Sequence, residues 1–477
     1  LALTAARKED AEGRARFVLL VRDVSAYRLA EREMRRVALA DPLTGLPNRR
    51  GLAEHLARHA EAPTRAGTLA LMHVDLDRFK QVNDGLGHDA GDHVLIRSAA
   101  ILSDATRSED LVARVGGDEF VVVMRGADSA ARAETAAERL TARLAEPIAY
   151  GEALCRIGAS VGIALWTPAR ASDPERALAD ADIALYEAKR AGRGRWRRFE
   201  PWMRRRAEAA AGLAQEIRAG LERDEFEPWF QPRLALADRR CLGLEALIRW
   251  RHPERGRLEP GEFLFAAEEA NLTARLDARM LELAAEALAR LRAAGPAPPR
   301  VSVNLSSGAL AEPDLVDRAK WAAERCGLEP DALAFELREQ ALLDEGGEVA
   351  AEAARRLSAA GFSIELDDFG AGPGALNTLR ELSADRLKID RGLVRGLESD
   401  DELRMVTGAL LAMARRLGLE TVAEGVEREG DLRALADLGC DAAQGWLLAP
   451  PMPEAELAAW LAAAEAPKRV APRRRPA

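Results

Sequence analysis

Residues 111–124 read LVARVGGDEFVVVM, two valine-rich apolar runs on either side of Gly116-Gly117-Asp118-Glu119. Valine-rich runs of this length are typical of strands, and two glycines between them permit a tight turn. The stretch therefore predicts a β-hairpin with two adjacent carboxylates at its tip. Because glycine has no side chain, a bulky anion can approach this turn closely. The tip suits a divalent cation and a phosphate ester, although an acidic surface turn would have the same local sequence.

The residues upstream of this hairpin favour the metal interpretation. The apolar run Thr68–Val74 predicts a strand, and it ends in Asp75-Leu76-Asp77. A carboxylate at the end of a strand is well placed to hold a metal ion. We predict a helix from about Asp92, further strand at 154–166 and a helix at 178–190. The first half of the chain is therefore predicted to be an α/β domain.

Four segments in this half occur in a recognisable order. They are DPLTGLPNR (41–49), DLDRFKQVNDGLGHDAGD (75–92), RVGGDEF (114–120) and ALYEAKRAGRGR (184–195). Together they resemble the GGDEF family of diguanylate cyclases over about residues 38–198. The resemblance implies a palm-like α/β fold related to nucleotidyl cyclases, and condensation of two GTP molecules to cyclic di-GMP. Since each domain binds one GTP, a homodimer is implied as well.

The resemblance also implies roles for individual residues. Asp75, the Leu76 carbonyl and Asp118 would hold Mg²⁺ or Mn²⁺, and Glu119 would bind metal or accept the 3′-hydroxyl proton. The carboxylate of Asp92 and the amide of Asn83 match the base-pairing edge of guanine. The other implied contacts to substrate are Phe79, Lys80, His88, Gly117, Lys189 and Arg193, of which the cationic ones would offset triphosphate charge. Arg107 and Asp110 form the R-x-x-D pattern of the family's product-inhibition site.

The second half has a different pattern. After a helix rich in arginine, alanine and glutamate at 201–222, apolar strands alternate with helices to about residue 462. The predicted strands are 241–246, 300–305, 332–337, 362–366, 386–389, 420–423 and 442–447. Alternation over ~250 residues predicts a TIM-like (β/α)₈ barrel. A barrel gathers the carboxyl ends of its strands at one mouth, so the polar residues there should converge: Glu245, Asn304, Glu336, Asp367, Asp368, Lys388, Glu424 and Gln444.

Several stretches of this half resemble the EAL family of cyclic di-GMP phosphodiesterases. They include FQPRLAL (230–236), LEALIRWRHPERG (244–256), SVNLS (302–306), IELDDFGAG (364–372) and TVAEGVE (421–427). The resemblance covers about residues 212–455 and implies metal-assisted hydrolysis of one phosphodiester to linear pGpG. An all-oxygen ligand set favours Mg²⁺ or Mn²⁺ over zinc.

The EAL resemblance assigns ligands and catalytic groups. One cation would be held by Glu245, Asn304, Glu336 and Asp367, and a second by Asp367, Asp368 and Glu424. Lys388 would orient the attacking water, and Gln444 would hydrogen-bond near it. Arg249 and Gln231 would bind substrate, and Glu339 would support the loop after Asp367-Asp368.

The chain departs from the EAL pattern at two places. Arg338 stands where the E-x-T-E stretch usually has threonine, and residues 369–375 read FGAGPGA instead of the usual FGTGYSS. In the family this loop couples dimerisation to metal binding. Three interpretations therefore stay open. Both halves are catalytic, one half is catalytic and the other regulates it, or the chain is a non-catalytic cyclic di-GMP receptor.

The composition of the chain argues against several other classes of protein. The formal net charge of -9 argues against a general nucleic-acid binder. The 4 cysteines are widely spaced, which indicates a reducing compartment and no thiolate metal site. No apolar run reaches the ~18 residues of a membrane span. We therefore predict a cytoplasmic location, with any sensor or membrane anchor preceding Leu1.

These patterns predict six segments. Residues 16–23 predict a strand with no partner in this chain, and the 3-4-3 spacing of Tyr27, Ala30, Met34 and Val37 predicts either a two-helix seam or an ordinary amphipathic helix. A strand that leads into such a helix resembles the exit of a PAS sensor domain. The predicted segments are 1–25 (PAS-like remnant), 26–40 (signalling helix), 41–199 (GGDEF), 200–211 (linker helix), 212–463 (EAL) and 464–477 (disordered basic tail).

Overall fold

A computed structural model describes most of the chain. The described residues are 2–9, 15–22, 38–61, 67–126, 128–168, 173–295, 298–343, 346–369 and 384–465. Two compact units divide the chain, at residues 1–207 and 208–477. The predicted seam at 27–37, the altered loop from Gly370 to Ala375 and the tail beyond Glu465 lie outside the described residues.

The amino-terminal segment is a β-hairpin. Strand β1 (Ala2–Glu9) pairs antiparallel with β2 (Ala15–Arg22), from Ala2↔Arg22 to Glu9↔Ala15. The prediction that residues 16–23 have no partner is therefore wrong. Backbone hydrogen bonds can pair a segment of low strand propensity, and the sequence ALTAARKE, rich in alanine and charge, gave no periodic signal.

The first unit is built on a five-stranded sheet in the order β4-β5-β3-β8-β9. Neighbouring strands are antiparallel except β8 and β9, which are parallel. The strands of this unit are β3 (Leu69–Asp75), β4 (Leu111–Arg114), β5 (Glu119–Arg125), β6 (Ile148–Tyr150), β7 (Ala153–Cys155), β8 (Ser160–Trp166) and β9 (Trp196–Arg198). Its helices are α1 (Arg49–Glu61), α2 (Phe79–Leu86), α3 (His88–Asp104), α4 (Ser129–Leu144) and α5 (Pro174–Arg190).

Helices cover both faces of this sheet, which explains the continuous valine run in β5. Val122 packs in one core with residues of α3 and α4, and Val121 and Val123 pack in another with residues of α1 and α5. A strand buried on both sides has no polar face and so loses the alternation of a half-exposed strand. The helix predicted from about Asp92 begins earlier, at His88.

One helix spans the boundary between the units. Helix α6 (Pro201–Glu222) is continuous, as the sequence predicts, and the division at 207/208 falls within it. The further strands are β10 (Phe226–Ala235), β11 (Cys241–His252), β12 (Gly256–Leu258), β13 (Val301–Leu305), β14 (Leu333–Arg338), β15 (Ser363–Phe369), β16 (Arg386–Ile389), β17 (Glu420–Ala423), β18 (Ala442–Ala443) and β19 (Met452–Pro453). The further helices are α7 (Pro260–Glu269), α8 (Thr273–Ala294), α9 (Ser307–Leu310), α10 (Leu315–Arg325), α11 (Glu339–Leu343), α12 (Gly347–Ala359), α13 (Asp401–Arg416), α14 (Glu429–Leu438) and α15 (Glu454–Glu465).

The second unit is a closed barrel of eight strands, with β11 and β13 to β18 parallel in sequence order. Strand β10 closes the ring and is antiparallel to both its neighbours, β11 and β18. The predicted alternation of strand and helix fails between β10 and β11, because only residues 236–240 separate these two strands. So short a connection forms a hairpin, whereas a parallel neighbour would need a crossover of about a dozen residues.

The interior of this barrel is polar. Residues such as Val301, Val303 and Phe335 pack in the main apolar core of the unit together with residues of α8, α10 and α12. The side chains that alternate with these apolar residues along the strands are charged or polar and yet buried. This set is Arg233, Glu245, Ser302, Glu336, Glu365, Asp367, Arg386, Lys388 and Gln444.

Candidate active sites

The acidic turn of the first unit has the predicted hairpin geometry. Strands β4 and β5 pair from Leu111↔Val123 to Arg114↔Phe120. A Cβ atom added at Gly117 would have no neighbour within 4 Å, so the tip of the turn is open to a ligand. Arg114 holds the turn, because its Nε and Nη2 donate to the Gly117 carbonyl at 3.0 and 2.7 Å. The same guanidinium reaches Asp41 at 3.1 Å.

The carboxylates of Asp75 and Asp118 are brought together at this turn. Asp75 is the last residue of β3 and pairs in register with Glu119, and the Leu76 amide donates to the Asp118 carbonyl at 3.3 Å. Burial raises the pKa of Asp118, and the nearby charge of Asp75 raises it further. Two carboxylates that oppose each other's ionisation would both be stabilised by a cation, so this donor set fits a divalent metal.

Lys189 lies beside these carboxylates because α5 packs very closely on the sheet. A Cβ atom at Gly162 would lie 2.0 Å from the Ala181 carbonyl oxygen, so only glycine permits this approach. The Lys189 ammonium is 2.7 Å from Asp75 Oδ2. Arg193 follows in a left-handed turn, with φ of 55°. The sequence predicted both cations at the site, and the packing at Gly162 explains how the first one reaches it.

Two further residues at this site were missed by the sequence analysis. Asp77 is buried and accepts hydrogen bonds from Ser160 Oγ at 2.9 Å and from the Gly194 amide at 3.0 Å, so it ties the Arg193 turn to β3. His73 Nδ1 lies 3.1 Å from Asp182, and its Nε2 lies 4.0 Å from Glu119. The sequence gives no signal for these contacts, because each joins residues that are far apart in the chain.

The residues assigned to guanine lie together on α2 and α3. The Asn83 side chain covers Gly91, where an added Cβ would lie only 1.9 Å from Asn83 Oδ1. Asp92 follows Gly91 and is exposed, as are Lys80 and His88. Phe79 is 9% exposed and belongs to the apolar core, so its ring faces mainly inward.

The R-x-x-D residues differ sharply in environment. The Arg107 side chain is 58% exposed, whereas the Asp110 side chain has no exposed surface. The Asp110 carboxylate accepts from the Arg107 and Arg125 amides, both at 3.0 Å, and from Arg132 Nη2 at 2.6 Å. A guanine could be bound by Asp110 only if these hydrogen bonds were exchanged.

In the second unit, the predicted ligands converge at the carboxyl ends of the barrel strands. Glu245 Oε1 accepts from Asn304 Nδ2 at 3.1 Å, and Glu245 Oε2 accepts from Gln444 Nε2 at 2.6 Å. Gln444 also donates to Gln231 Oε1 at 2.9 Å. These residues come from four different strands or strand ends, as a barrel mouth requires.

Lys388 lies at the centre of this group. Its ammonium is 3.3 Å from Glu245, 3.0 Å from Asp367 and 2.5 Å from Glu424, and it also contacts Glu336. Burial by itself would lower the pKa of Lys388, but the surrounding carboxylates raise it well above its usual value. Burial also raises the pKa of Glu336 to about 8 and that of Glu424 to about 7. The Lys388 ammonium, even with the Arg233 guanidinium that contacts Glu336, therefore leaves this group of carboxylates short of positive charge.

The arrangement of Asp367, Asp368 and Glu424 fits a divalent cation. One ligand oxygen of each lies within 4.8 Å of the others. Asp367 Oδ1 is buried and makes no hydrogen bond to a described residue, although Lys388 lies close to it. Asp368 has a φ of 54°, a strained conformation for a residue with a side chain, and such strain is concentrated at functional sites.

The remaining predicted residues lie around this mouth. Arg249 is buried at 5% exposure and forms an ion pair with Glu259 at 3.0 Å, so its guanidinium is already engaged by a carboxylate. Glu339 begins α11 and is buried. Arg338, the unusual residue of the E-x-T-E stretch, is exposed at the end of β14 and in register with Asp367.

Comparison with known families identifies both halves of the chain. Residues 38–195 match the model of the diguanylate cyclase GGDEF domain, and residues 214–451 match that of the EAL domain. The chain belongs to the tandem GGDEF–EAL family. Its first half is the palm-like GGDEF unit, and its second half is the TIM-like EAL barrel. Both fold predictions are thereby confirmed.

Three known proteins illustrate the range of the GGDEF–EAL family. The chain is 37% identical over 434 residues to the bifunctional diguanylate cyclase/cyclic di-GMP phosphodiesterase MucR of Pseudomonas aeruginosa, covering 91% of this chain and 63% of the relative. It is also 37% identical over 435 residues to the cyclic di-GMP phosphodiesterase NbdA of the same organism, covering 91% and 55%. The S helix-GGDEF-EAL structure of Vibrio cholerae LapD shares the fold, with a TM-score of 0.59 at 18% identity over 89% of this chain and 99% of that one.

The chain thus spans 55 to 63% of the length of these two curated relatives. Across the described residues, no helix combines the length and the apolar character that crossing a bilayer demands.

Proposed function

We propose that this chain both makes and hydrolyses cyclic di-GMP. The GGDEF half would condense two GTP molecules, and the EAL half would hydrolyse one phosphodiester to give pGpG. The observation that carries the proposal is that oxygen donors meet in each half: the Asp75 and Asp118 carboxylates at the β4–β5 turn, and a group of carboxylates at the barrel mouth. The relative MucR, named for both activities, supports the same conclusion.

Each half has residues suited to holding Mg²⁺ or Mn²⁺. In the GGDEF half these are Asp75, the Leu76 carbonyl, Asp118 and Glu119. In the EAL half they are Glu245, Asn304, Glu336, Asp367, Asp368 and Glu424. Bound cations would make a hydroxyl or water more acidic and would neutralise charge on the reacting phosphates.

In the GGDEF half, the protein groups position GTP and accept a proton. The open backbone at Gly117 lets a phosphate approach the turn, and Lys189 and Arg193 offset its charge. Asn83 and Asp92 match the donors and acceptor of a guanine edge. Glu119 is 37% exposed beside this turn and would accept the 3′-hydroxyl proton. Because the product contains two GTP units, the proposal includes a homodimer, whose geometry an upstream sensor would control.

In the EAL half, the protein groups bind the dinucleotide and orient water. Arg249 would exchange its ion pair with Glu259 for one with a substrate phosphate. Lys388 lies among four carboxylates and would donate a hydrogen bond to the attacking water. Gln444 and Gln231 are hydrogen-bonded to each other and would hold the substrate side of the mouth.

Nucleotide chromatography on the full 477-residue chain tests this proposal. GTP with Mg²⁺ should yield cyclic di-GMP, and cyclic di-GMP with Mg²⁺ or Mn²⁺ should yield pGpG. Asp118→Ala should abolish only the first reaction, and Glu245→Ala only the second, so each variant is the folding control for the other. Absence of either wild-type reaction would overturn the bifunctional assignment.

Two other functions have specific support. The relative NbdA is named a phosphodiesterase alone, which favours a GGDEF half that binds GTP and regulates the barrel. In that case GTP would change the KM of hydrolysis without forming product. The altered sequence FGAGPGA at 369–375 favours a receptor instead. Tight cyclic di-GMP binding without any turnover would identify that function.

A further inference from the structure

A continuous series of charges, buried except at its first member, runs through the interior of the EAL barrel. It begins at Glu420, whose side chain is 38% exposed and whose carboxylate accepts from Arg386 Nε at 2.7 Å. Arg386 in turn contacts Glu365, and Glu365 contacts Arg233. Arg233 then contacts Glu336, which is next to Lys388. Charges of opposite sign therefore alternate from one end of the barrel to the other.

Arg233 connects the two ends of this series. Its Nη1 bonds Glu365 and, at 2.8 Å, Ser302 Oγ, both deep in the barrel. Its Nε donates to Gln444 Oε1 at 3.0 Å, and its Nη2 bonds Glu336, both at the mouth. The side chain is 2% exposed, so these partners are fixed by the interior of the fold. A guanidinium can make these bonds together because its donors form a rigid planar fork.

These contacts determine the orientation of two groups at the mouth. Because Gln444 Oε1 accepts from Arg233, its amide nitrogen is turned toward Glu245, to which it donates at 2.6 Å. Because one oxygen of Glu336 bonds Arg233, the other faces Lys388 and the centre of the mouth. Without Arg233, both the amide and the carboxylate could rotate.

Glu365 makes the burial of Arg233 tolerable. It is fully buried and lies between Arg233 and Arg386, so its negative charge separates two buried guanidinium groups. It belongs to the same strand as Asp367, two residues away, and so faces the same side of the sheet. Among the described residues, Glu365 forms no salt bridge with Lys388.

We propose that Arg233, held by Glu365, is a positioning residue for cation binding in the EAL half: it fixes the ligand Glu336 directly and the ligand Glu245 through the amide of Gln444. The inference rests on the proposed phosphodiesterase site and extends it to a pair of residues below that site. Loss of a group that orients a metal ligand typically weakens metal binding 10- to 100-fold. The pair should therefore affect cation affinity more than the affinity for cyclic di-GMP.

The test is Mn²⁺ binding to the full chain, measured by calorimetry without nucleotide; every protein compared carries Asp118→Ala, which removes a ligand of the proposed GGDEF cation site. The variant Arg233→Met/Glu365→Leu replaces the pair with apolar side chains of similar size, which avoids leaving one charge buried alone. We expect a cooperative melting transition, Mn²⁺ affinity reduced about 10- to 100-fold, and cyclic di-GMP affinity in Ca²⁺ within about three-fold of wild type. The control, Arg290→Met/Glu454→Leu, removes an exposed bidentate ion pair on α8 and α15 and should leave Mn²⁺ binding unchanged.

Arg233→Lys provides a second variant if the apolar pair does not melt cooperatively. Lysine keeps the charge but cannot bond four partners in one plane, so Mn²⁺ affinity should still fall several-fold. Mn²⁺ affinity within two-fold of wild type, in whichever of the two variants folds, would overturn the role of Arg233 while leaving the phosphodiesterase proposal intact. Failure of wild type to bind Mn²⁺ and to form pGpG would overturn both.

Discussion

Substitution of Gly91 by alanine tests the guanine site without touching a residue that would bind guanine. Gly91 lies in α3, and an added Cβ would be 1.9 Å from Asn83 Oδ1 and 2.9 Å from Asn83 Cγ. Ordinary van der Waals contact begins near 3.4 Å, so the Asn83 oxygen must move by about 1.5 Å, the difference between the two distances. The Asn83 side chain is short and rotatable, and Phe79 Cζ, which would lie 3.2 Å from the new Cβ, needs to give by only a few tenths of an ångström, so the backbone can stay in place.

The expected cost falls on GTP binding and not on folding. Alanine in a helix is more stable than glycine by about 1 kcal/mol, which offsets part of the steric cost. A displacement of 1.5 Å breaks a hydrogen bond of about 2.9 Å, and one or two such bonds contribute about 1–3 kcal/mol. We therefore expect the KM for GTP to rise about 5- to 150-fold, with the melting temperature nearly unchanged.

The assay is cyclic di-GMP formation at varied GTP, with ATP as competitor. Gly91→Ala should raise the KM for GTP and reduce the preference for GTP over ATP. Gly85→Ala is the matched control, because an added Cβ there would have no neighbour within 4 Å. A folded Gly91→Ala variant with the GTP affinity of wild type would refute the assignment of Asn83 to guanine.

Three further predictions follow from the described contacts. Burial raises the pKa of Asp277 to about 6. Between about pH 4 and pH 6 the folded chain therefore binds more protons than the unfolded chain, and its stability falls as pH rises through that range. Asp277→Asn keeps the acceptor for the Ser306 amide and should raise stability by about 1–2 kcal/mol at pH 8 and not at pH 4, measured by denaturant unfolding. Lys388→Met should abolish pGpG formation and lower the melting temperature without metal, while Mn²⁺ should stabilise this variant more than wild type; equal metal-induced shifts would contradict the central role of this ammonium. Arg107→Ala should raise cyclase output at high product concentration without destabilising the domain, since Arg107 is exposed. Asp110→Ala should lower the melting temperature, because Asp110 is buried among structural hydrogen bonds. An unchanged inhibition curve in Arg107→Ala would count against the product-inhibition site.

The sequence predicted those parts of the sites that depend on local pattern. Apolar runs and turn residues fixed where strands end, and carboxylates at those ends could be recognised directly. The hairpin at Gly116–Glu119, the strand ending at Asp75 and the polar residues proposed as ligands at the barrel mouth all follow from this rule. The reason is physical: strand alternation and turn geometry depend on neighbours in the chain.

Other contacts could not be predicted because they depend on strand order and register. Arg233 and Glu365 are 132 positions apart, and their ion pair exists only because β10 closes the barrel as an antiparallel strand. Asp110 has the motif of a ligand-binding residue, yet Arg132 and two backbone amides occupy its carboxylate. His73 and Asp182 meet only because α5 packs against β3 and β8.

By itself, the sequence determined which chemical groups this protein brings to its two sites, since each group is marked by the strand or turn that carries it. Tertiary structure alone decided which of those groups are free to act and which are held by others. Burial and charge pairing arise when segments that are distant in the chain come together, and a local sequence pattern does not indicate which segments will meet.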